Sequence, residues 1–431
     1  MKAIGIDIGT TSICGIVLDT ANGAVVSSRT ENSNAFIATE NSWERIQDVS
    51  RIMTVATDIL DGFLGSYEDV CVIGITGQMH GIVYVNDAGE AVSPLYTWQD
   101  ARGNLSYGDT TYAKHLGSAS GYGNVTDFYN RQNGLVPADA VTYCTVHDYL
   151  GMRLCGNKRP IMHASDAASL GLYDIEAKKF NYDVSVQVTD AFEIIGKYRG
   201  IDVSVAIGDN QASVFSTLAD EDDLLINVGT GSQVSIVSAR PVFAPNIESR
   251  PYVDGKYLIV GSALCGGRAY SVLKDFYSRL FALAGVENVD VYSVMDKMLK
   301  EKTDTSLVCD TRFDGTRSEP TQRGSISNIS TDNFTPEDLG YAFLCGMMNE
   351  LYGMYSAMGE TKKGIVGSGN GIRKNRPLTE IAQKRFGGEL KIPAHTEEAA
   401  FGAALFGMVA CGVCDSAKDA QGLIRYGGCE K

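Results

Sequence analysis

The run Ile4-Gly5-Ile6-Asp7-Ile8-Gly9-Thr10-Thr11-Ser12, followed by the apolar stretch Ile13 to Leu18, decides how this chain is read. Two strand-like segments meet at a short turn of glycine and hydroxyl residues, which predicts a β-hairpin with polar backbone at its tip. Amides in such a turn can point at phosphate oxygens, and Thr10, Thr11 and Ser12 add hydroxyl donors. Asp7, at the end of the first strand, is placed to hold Mg²⁺ through its waters. Taken alone, the motif is equally an ordinary hairpin in which Asp7 bonds the turn backbone.

A second copy changes that balance. Ile226-Asn227-Val228-Gly229-Thr230-Gly231-Ser232 repeats Ile6 to Ser12 at a constant offset of 220 (226 minus 6), with Ile, Gly, Thr and Ser in matching places. Such a repeat reads as two related domains whose hairpin tips face each other across a cleft, each taking part of a triphosphate through Thr10–Ser12 and Gly229–Gly231. The acidic run Asp220-Glu221-Asp222-Asp223 looks like a solvated connector, so the expected domains are 1–220 and 221–431. A duplicated phosphate hairpin of this kind resembles the one shared by actin-like filament proteins, heat-shock chaperones and sugar kinases. The three differ in whether a small-molecule pocket is needed.

The segments between the hairpins bear on that choice. Val72 to Gly77 is an apolar strand that runs into Gln78-Met79-His80-Gly81, and the mixed donors and acceptors of Gln78 and His80 suit sugar hydroxyls. A histidine at a strand end is also commonly a satisfied structural group. Tyr96-Thr97-Trp98-Gln99-Asp100-Ala101-Arg102 supplies an aromatic face for a sugar, with a carboxylate and a guanidinium that could equally form a surface pair. Val203 to Gly208 is another apolar strand, ending at Asp209-Asn210-Gln211. A carboxylate at the carboxyl end of such a strand is the candidate catalytic base, and its structural alternative is the N-cap of the next helix. In the second half, Ile365-Val366-Gly367-Ser368-Gly369-Asn370-Gly371 breaks into a glycine-rich turn that lets backbone approach the flat ring of adenosine. The late run Glu397 to Gly407 reads as a helix whose small residues pack tightly on a sheet.

Composition narrows the field further. At 431 residues the chain exceeds what one core usually organises, and its 44% apolar and 21% charged content is that of a globular protein. No run approaches a membrane span and no export signal opens the chain, so the expected compartment is the cytoplasm. A net charge of -15 argues against nucleic acid as a partner and requires that any nucleotide be held by local amides and a divalent cation. The ten cysteines, scattered through apolar stretches, are read as reduced, buried thiols.

Together these segments resemble the FGGY carbohydrate kinases over nearly the whole chain. Gly77–Gly81, Thr97–Asp100, His147-Asp148-Tyr149, Ser165–Ser169 and Gly208–Val214 are most similar to the sedoheptulokinase branch, with xylulokinases next; Ala263–Gly267 and Gly367–Gly369 add to the likeness. The resemblance implies an α/β fold of two ribonuclease H-like (actin-like ATPase) domains with an interdomain active-site cleft. It implies Asp209 as base, Asp7 as metal ligand, and Thr10, Thr11, Ser12, Gly229, Thr230, Gly231, Gly369 and Asn370 around ATP. Gln78, Met79, His80, Trp98, Asp100 and Asn210 would lie near the sugar. The implied reaction is ATP- and Mg²⁺-dependent phosphorylation of the terminal hydroxyl of a ketose, sedoheptulose first and D-xylulose second, by a monomer or homodimer. Three positions depart from the pattern. Asn210 is polar where animal sedoheptulokinases are expected to be apolar and xylulokinases polar, Ala101 replaces a glycine, and Gly231 replaces a second hydroxyl. A sugar-sensing protein that had lost catalysis would have damaged carboxylates, yet Asp7 and Asp209 are both present.

Overall fold

The computed structural model describes residues 1–427. In the first part of the chain the strands β1 (Lys2–Ile8), β2 (Ser12–Asp19) and β3 (Val25–Asn32) precede helix α1 (Val49–Ser66) and strand β4 (Val70–Gly77). Helices α2 (Val146–Leu154) and α3 (Ala164–Ser169) follow, then β5 (Ile194–Tyr198), β6 (Ile201–Ser204), β7 (Ile207–Gly208) and α4 (Asp209–Thr217). Next come β8 (Asp223–Val228), β9 (Ser232–Ser238), β10 (Ile247–Pro251) and β11 (Tyr257–Ala263), with helices α5 (Gly267–Leu283) and α6 (Pro336–Ala357). The chain closes with β12 (Gly364–Ser368), α7 (Gly369–Lys374), β13 (Leu390–Pro393), α8 (Glu398–Ala410) and β14 (Tyr426–Gly427).

Two mixed seven-stranded sheets result. The first has the order β5-β6-β4-β1-β2-β3, with β7 also pairing with β4. The second has the order β10-β11-β9-β8-β12-β13-β14. The predicted duplication is visible in the pairing: β1 is antiparallel to β2 and parallel to β4, and β8 is antiparallel to β9 and parallel to β12. In each sheet the central strand, β1 or β8, is buried along nearly its whole length.

The chain forms two compact units. The first contains Met1–Ala219, Arg250–Lys256 and His395–Arg425, and the second Asp220–Ser249, Tyr257–Ala394 and the final strand. Dividing the sequence into 1–220 and 221–431 therefore leaves out two segments that cross back to the first unit. Helix α8 explains one of them. It lies so close to β1 and β4 that a Cβ on Gly5 would stand 1.8 Å from the Ala400 carbonyl oxygen, and one on Gly74 1.8 Å from that of Ala403. Side-chain-free strand positions and the small helix residues Ala400, Ala403 and Ala404 make this approach possible, and they bury α8 on the first sheet.

On α1, Ile52, Val55, Ala56, Ile59, Leu60 and Phe63 fall on one stripe and are buried, and Asp48 caps the helix by accepting from Ser50 N and Arg51 N. A Cβ on Gly15 of β2 would touch Ile59 and Phe63, which fixes α1 against the first sheet.

Candidate active site

Register places the carboxylates in the first unit. Asp7 on β1 pairs with Thr76 on β4, and Ile207 on β7 pairs with the same Thr76. Ile8, Gly77 and Gly208 form the next row, so Gly9, Gln78 and Asp209 leave the sheet side by side at the carboxyl ends of three neighbouring parallel strands. Adjacent strands lie about 4.8 Å apart, so Asp7 stands two strands across from Asp209 and two residues back along them. Thr76 Oγ1 donates to the Ile207 carbonyl at 2.6 Å and locks β7 in place.

Asp209 is the first residue of α4. Gly208 is the N-cap and makes no side-chain cap bond, so the N-cap alternative for Asp209 does not apply. Gly208 N–H instead donates to Ser165 Oγ at 3.0 Å. Burial pushes the Asp209 carboxyl up from the ordinary range, while the charge of His147, the Asn210 amide and the Arg250 guanidinium work against that rise. Arg250 Nη1 also donates to Asn210 Oδ1 at 2.9 Å.

Burial raises the Asp7 carboxyl to about 7, with the charges of Asp209 and Glu397 adding to the shift. One Asp7 oxygen is enclosed and has no hydrogen-bond partner. Glu397, immediately before α8, reaches the same neighbourhood, where Cys14 Sγ donates to its Oε2 at 3.3 Å. An orphaned buried oxygen among three carboxylates fits a hard cation with oxygen ligands, and Asp7 is the residue positioned to hold it.

A second buried set lies behind Asp209. His147, Asp148 and Asp166 present ligand-type atoms within 4.8 Å of one another, and His147 Nε2 lies 3.0 Å from Asp166 Oδ1. Burial pushes both carboxyls well up and the imidazole down, which favours the neutral form of each.

The residues expected around a sugar divide into two groups. Thr10 Oγ1 donates to Gln78 Oε1 at 3.3 Å and accepts from Trp98 Nε1 at 3.0 Å, tying the hairpin tip to two of these positions. Gln78 is 3% exposed and donates to Gln47 Oε1 at 3.0 Å, so much of its amide is engaged within the protein. Trp98 is 46% exposed, a flat face open to a ligand. Met79 packs on Gly208, where an added Cβ would stand 2.6 Å from Met79 Cε. His80 has φ +74°, an uncommon backbone state for a side chain of its size. It is held by Ser169, whose carbonyl lies 2.7 Å from His80 Nδ1, and by Tyr122, whose ring stacks at 4.3 Å.

Asp100 differs from the expectation of a sugar contact. It is 1% exposed, and its two oxygens receive Arg102 N, Nε and Nη2 and Arg45 N at 2.7 to 3.1 Å. Arg102 is itself buried, with its guanidinium centre 4.3 Å from the Tyr96 ring centre and its Nη1 donating to Asn130. The pair is internal, not a surface pair, and the carboxylate is saturated. Thr11 also stands apart: its side chain is exposed and its carbonyl accepts from Ser33 N and Oγ. Ser12 begins β2 opposite Asn32.

The second unit contains a cavity of about 830 Å³ lined by Gly229, Thr230, Gly369 and Asn370, four of the positions expected to touch nucleotide. Tyr270, Tyr292, Leu344 and Met347 supply its apolar wall, and its size suits a drug-sized ligand. Gly231 does not line it; its carbonyl accepts from Gly229 N at 2.9 Å inside the turn. In the second repeat Asn227 takes the place of Asp7 and donates to Ser368 Oγ at 2.6 Å, closing the strand end with a neutral bond.

Comparison with known proteins assigns this pair of sheets. Residues 2–108 match the N-terminal domain, and residues 224–411 the C-terminal domain, of the FGGY family of carbohydrate kinases. The chain belongs to the FGGY carbohydrate kinases. As such it is a sugar kinase, a phosphotransferase with ATP as co-substrate. Among similar proteins, this kinase is 29% identical to a sedoheptulokinase of Mus musculus, over 93% of this chain and 96% of the relative. It is 24% identical to a xylulose kinase of Staphylococcus epidermidis, over 93% and 86% of the two chains. In fold it is similar to a xylulose kinase from Rhodospirillum rubrum, with a TM-score of 0.85 at 19% identity over 99% of this chain and 93% of that one. No helix among the described residues is long and apolar enough to cross a membrane.

Four residues of this region were absent from the sequence-based set. Arg250, Glu397 and Gln47 carry no local motif, and His147 stood only within a segment of family resemblance. Arg250, Gln47 and Glu397 stand among polar neighbours (Glu248-Ser249, Glu44-Arg45 and Asp48, Thr396 and Glu398), so no linear signal sets them apart.

Proposed function

We propose that this kinase transfers the γ-phosphoryl group of ATP to the terminal hydroxyl of a ketose, with sedoheptulose as the first candidate acceptor. The observation that carries the reading is the row of strand ends that brings Asp209 beside Gln78 and Gly9, with Asp7 two residues back on β1. Similarity to a sedoheptulokinase along nearly the full length of both chains supports the choice of sugar.

Asp209 is the base. It accepts the proton of the acceptor hydroxyl as that oxygen closes on phosphorus, and the Arg250 guanidinium offsets part of the burial that disfavours its ionised form. His80, rigidly stacked on Tyr122, and the open face of Trp98 orient the sugar, with Asn210 next to the base. Gln78 and Asp100 position this wall from behind, Gln78 through Thr10 and Asp100 through Arg102. The cavity at Gly229, Thr230, Gly369 and Asn370 takes ATP. Mg²⁺, held by Asp7, supplies charge neutralisation on the phosphates.

D-xylulose is the second candidate acceptor, favoured by the polar Asn210 beside the base and by the structural likeness to a xylulose kinase. The test is ADP release by purified protein with ATP and Mg²⁺ against sedoheptulose, D-xylulose, D-ribulose, L-ribulose, gluconate and glycerol. Highest kcat/KM with sedoheptulose supports the first reading, and highest kcat/KM with xylulose replaces it by the second. Nucleotide binding without turnover on any of these sugars overturns both.

A further inference from the structure

Not all the cysteines are isolated, inert thiols: Cys411-Gly412-Val413-Cys414 has CxxC spacing, which the reading of the cysteines as scattered passes over. The turn after α8 sets their positions. Cys411 is the C-cap and Gly412 takes φ +75°. Gly412 N then donates to Val409 O at 3.1 Å and Val413 N to Met408 O at 2.9 Å. This is a Schellman closure, and Cys414 N adds a third bond to Met408 O at 3.1 Å, so both thiols ride on one fixed turn.

A third thiol meets them from the sheet. In the ladder between β1 and β4, Lys2 pairs with Val70 but Ala3 pairs with Val72, so Cys71 is the extra residue of a bulge. Bulges re-aim the side chain they carry. Cys71 Sγ donates to the Lys2 carbonyl at 3.1 Å, and one turn before Cys411 a Cβ on Gly407 would stand 3.1 Å from Val72 Cγ2, which brings the end of α8 against the bulge and the two thiols near enough to influence each other's ionisation. The close seating of α8 on Gly5 and Gly74 brings the helix end to the bulge. Cys71, Cys411 and Cys414 are all half-buried, and none is in a disulfide. None belongs to the phosphotransfer residues above.

The contact is asymmetric. The neighbouring Cys71 thiol and the Val413 amide bring the Cys411 thiol down to about 7, against the opposing effects of burial and Asp202. Cys71 and Cys414 are both raised. One member is therefore the nucleophile and its neighbour the resolving thiol.

We propose that Cys71 and Cys411 form an oxidisable dithiol, a modification site whose reactant is a peroxide. The Cys411 thiolate attacks one peroxide oxygen and the O–O bond breaks. Sulfur keeps that oxygen as a sulfenic acid, and the other oxygen leaves as hydroxide and becomes water on taking a proton. Cys71 sulfur then attacks the sulfenic sulfur, displacing hydroxide, which leaves as a second water with the Cys71 proton. Two thiols and one hydrogen peroxide thus give one disulfide and two waters. The bond ties the start of β4 to the end of α8, and the other end of β4 leads directly into Gln78, Met79 and His80.

The test is titration of the intact kinase with hydrogen peroxide, followed by thiol counting and peptide mapping under non-reducing conditions. The wild type should lose two thiols per chain and yield one linked peptide pair containing Cys71 and Cys411, restored by dithiothreitol. Cys411→Ser should abolish this fast loss, and Cys71→Ser should leave a sulfenic acid on Cys411 that dimedone traps. Circular dichroism confirms that each serine variant is folded. Peroxide consumption spread evenly over Cys155, Cys345 and these thiols overturns the proposal. So does a Cys411–Cys414 linkage in place of the Cys71–Cys411 bond.

Discussion

Arg250 donates a hydrogen bond to Asn210 across 2.9 Å, and the same guanidinium favours the ionised form of the neighbouring Asp209. Two residues separated by 40 positions are thus joined at the base, and the residue beside the base is oriented by a cation, not left to a ligand alone.

If Arg250 keeps Asp209 ionised, Arg250→Met should raise the Asp209 pKa, because the cation that favours the charged form is gone. The acid limb of kcat/KM then moves to higher pH, and kcat falls by roughly 10- to 100-fold at neutral pH. Arg250→Lys should recover part of the loss. A lower rate with an unmoved acid limb would mean that Arg250 only packs the site.

Asp209→Ala should lower kcat by about 10³-fold or more while the Kd for ATP stays within a few-fold of wild type. The nucleotide cavity is built wholly from residues of the second unit, so calorimetric ATP binding is the discriminating measurement. Loss of ATP affinity would remove Asp209 from the role of base.

The Asp7 carboxyl sits at about 7, raised by burial and by its carboxylate neighbours. A cation needs the ionised form, so the Mg²⁺ concentration for half-maximal rate should rise about tenfold per pH unit below 7. Asp7→Asn should show no such slope. Stability follows the sign of a raised acid: the contribution of Asp7 is fully present below its unfolded value near 3.8 and is lost as pH rises through 7 in metal-free buffer. At pH 8 without Mg²⁺, Asp7→Asn should therefore melt several degrees above wild type, and added Mg²⁺ should narrow the gap by stabilising the wild type.

Asp100→Ala should act on the fold first. It leaves a buried Arg102 uncompensated, a change that costs about 3–5 kcal/mol in comparable sites. Urea unfolding should show a correspondingly lower midpoint, and replacing Arg102 as well with Met should restore part of it. Unchanged stability with a raised KM for sugar would instead make Asp100 a direct contact.

Gly369→Ala should raise the KM for ATP by tenfold or more and leave the KM for sugar unchanged. Gly369 has φ +80°, and an added Cβ would stand 2.5 Å from the Val228 carbonyl oxygen at the cavity wall. Equal effects on both substrates would argue against placing ATP in this cavity.

The hairpins and strand ends could be read from sequence because they are local. A strand, a Gly-Thr turn and a second strand occupy about fifteen residues, and their side-chain alternation and turn chemistry are fixed by near neighbours. The same holds for Gln78 and Asp209, each one step past an apolar strand. Asp100 could not be read in this way. Its sequence shows a carboxylate two residues from a guanidinium, which fits an exposed pair as well as the buried one formed among Trp43, Tyr96 and Tyr129.

Sequence by itself determined the duplicated β-hairpin unit, the family, and the carboxylates at the ends of β1 and β7, since each follows from pattern within a short window or from its repetition. Tertiary structure alone decided that α8 and the Arg250–Lys256 segment belong with the first unit, that Glu397 reaches Cys14 across 383 positions, and that the end of α8 comes against the bulge at Cys71. The relationships made by α8 depend on how closely a helix can approach a sheet. That distance is set by glycine and alanine on both surfaces together, and neither run of sequence contains it alone.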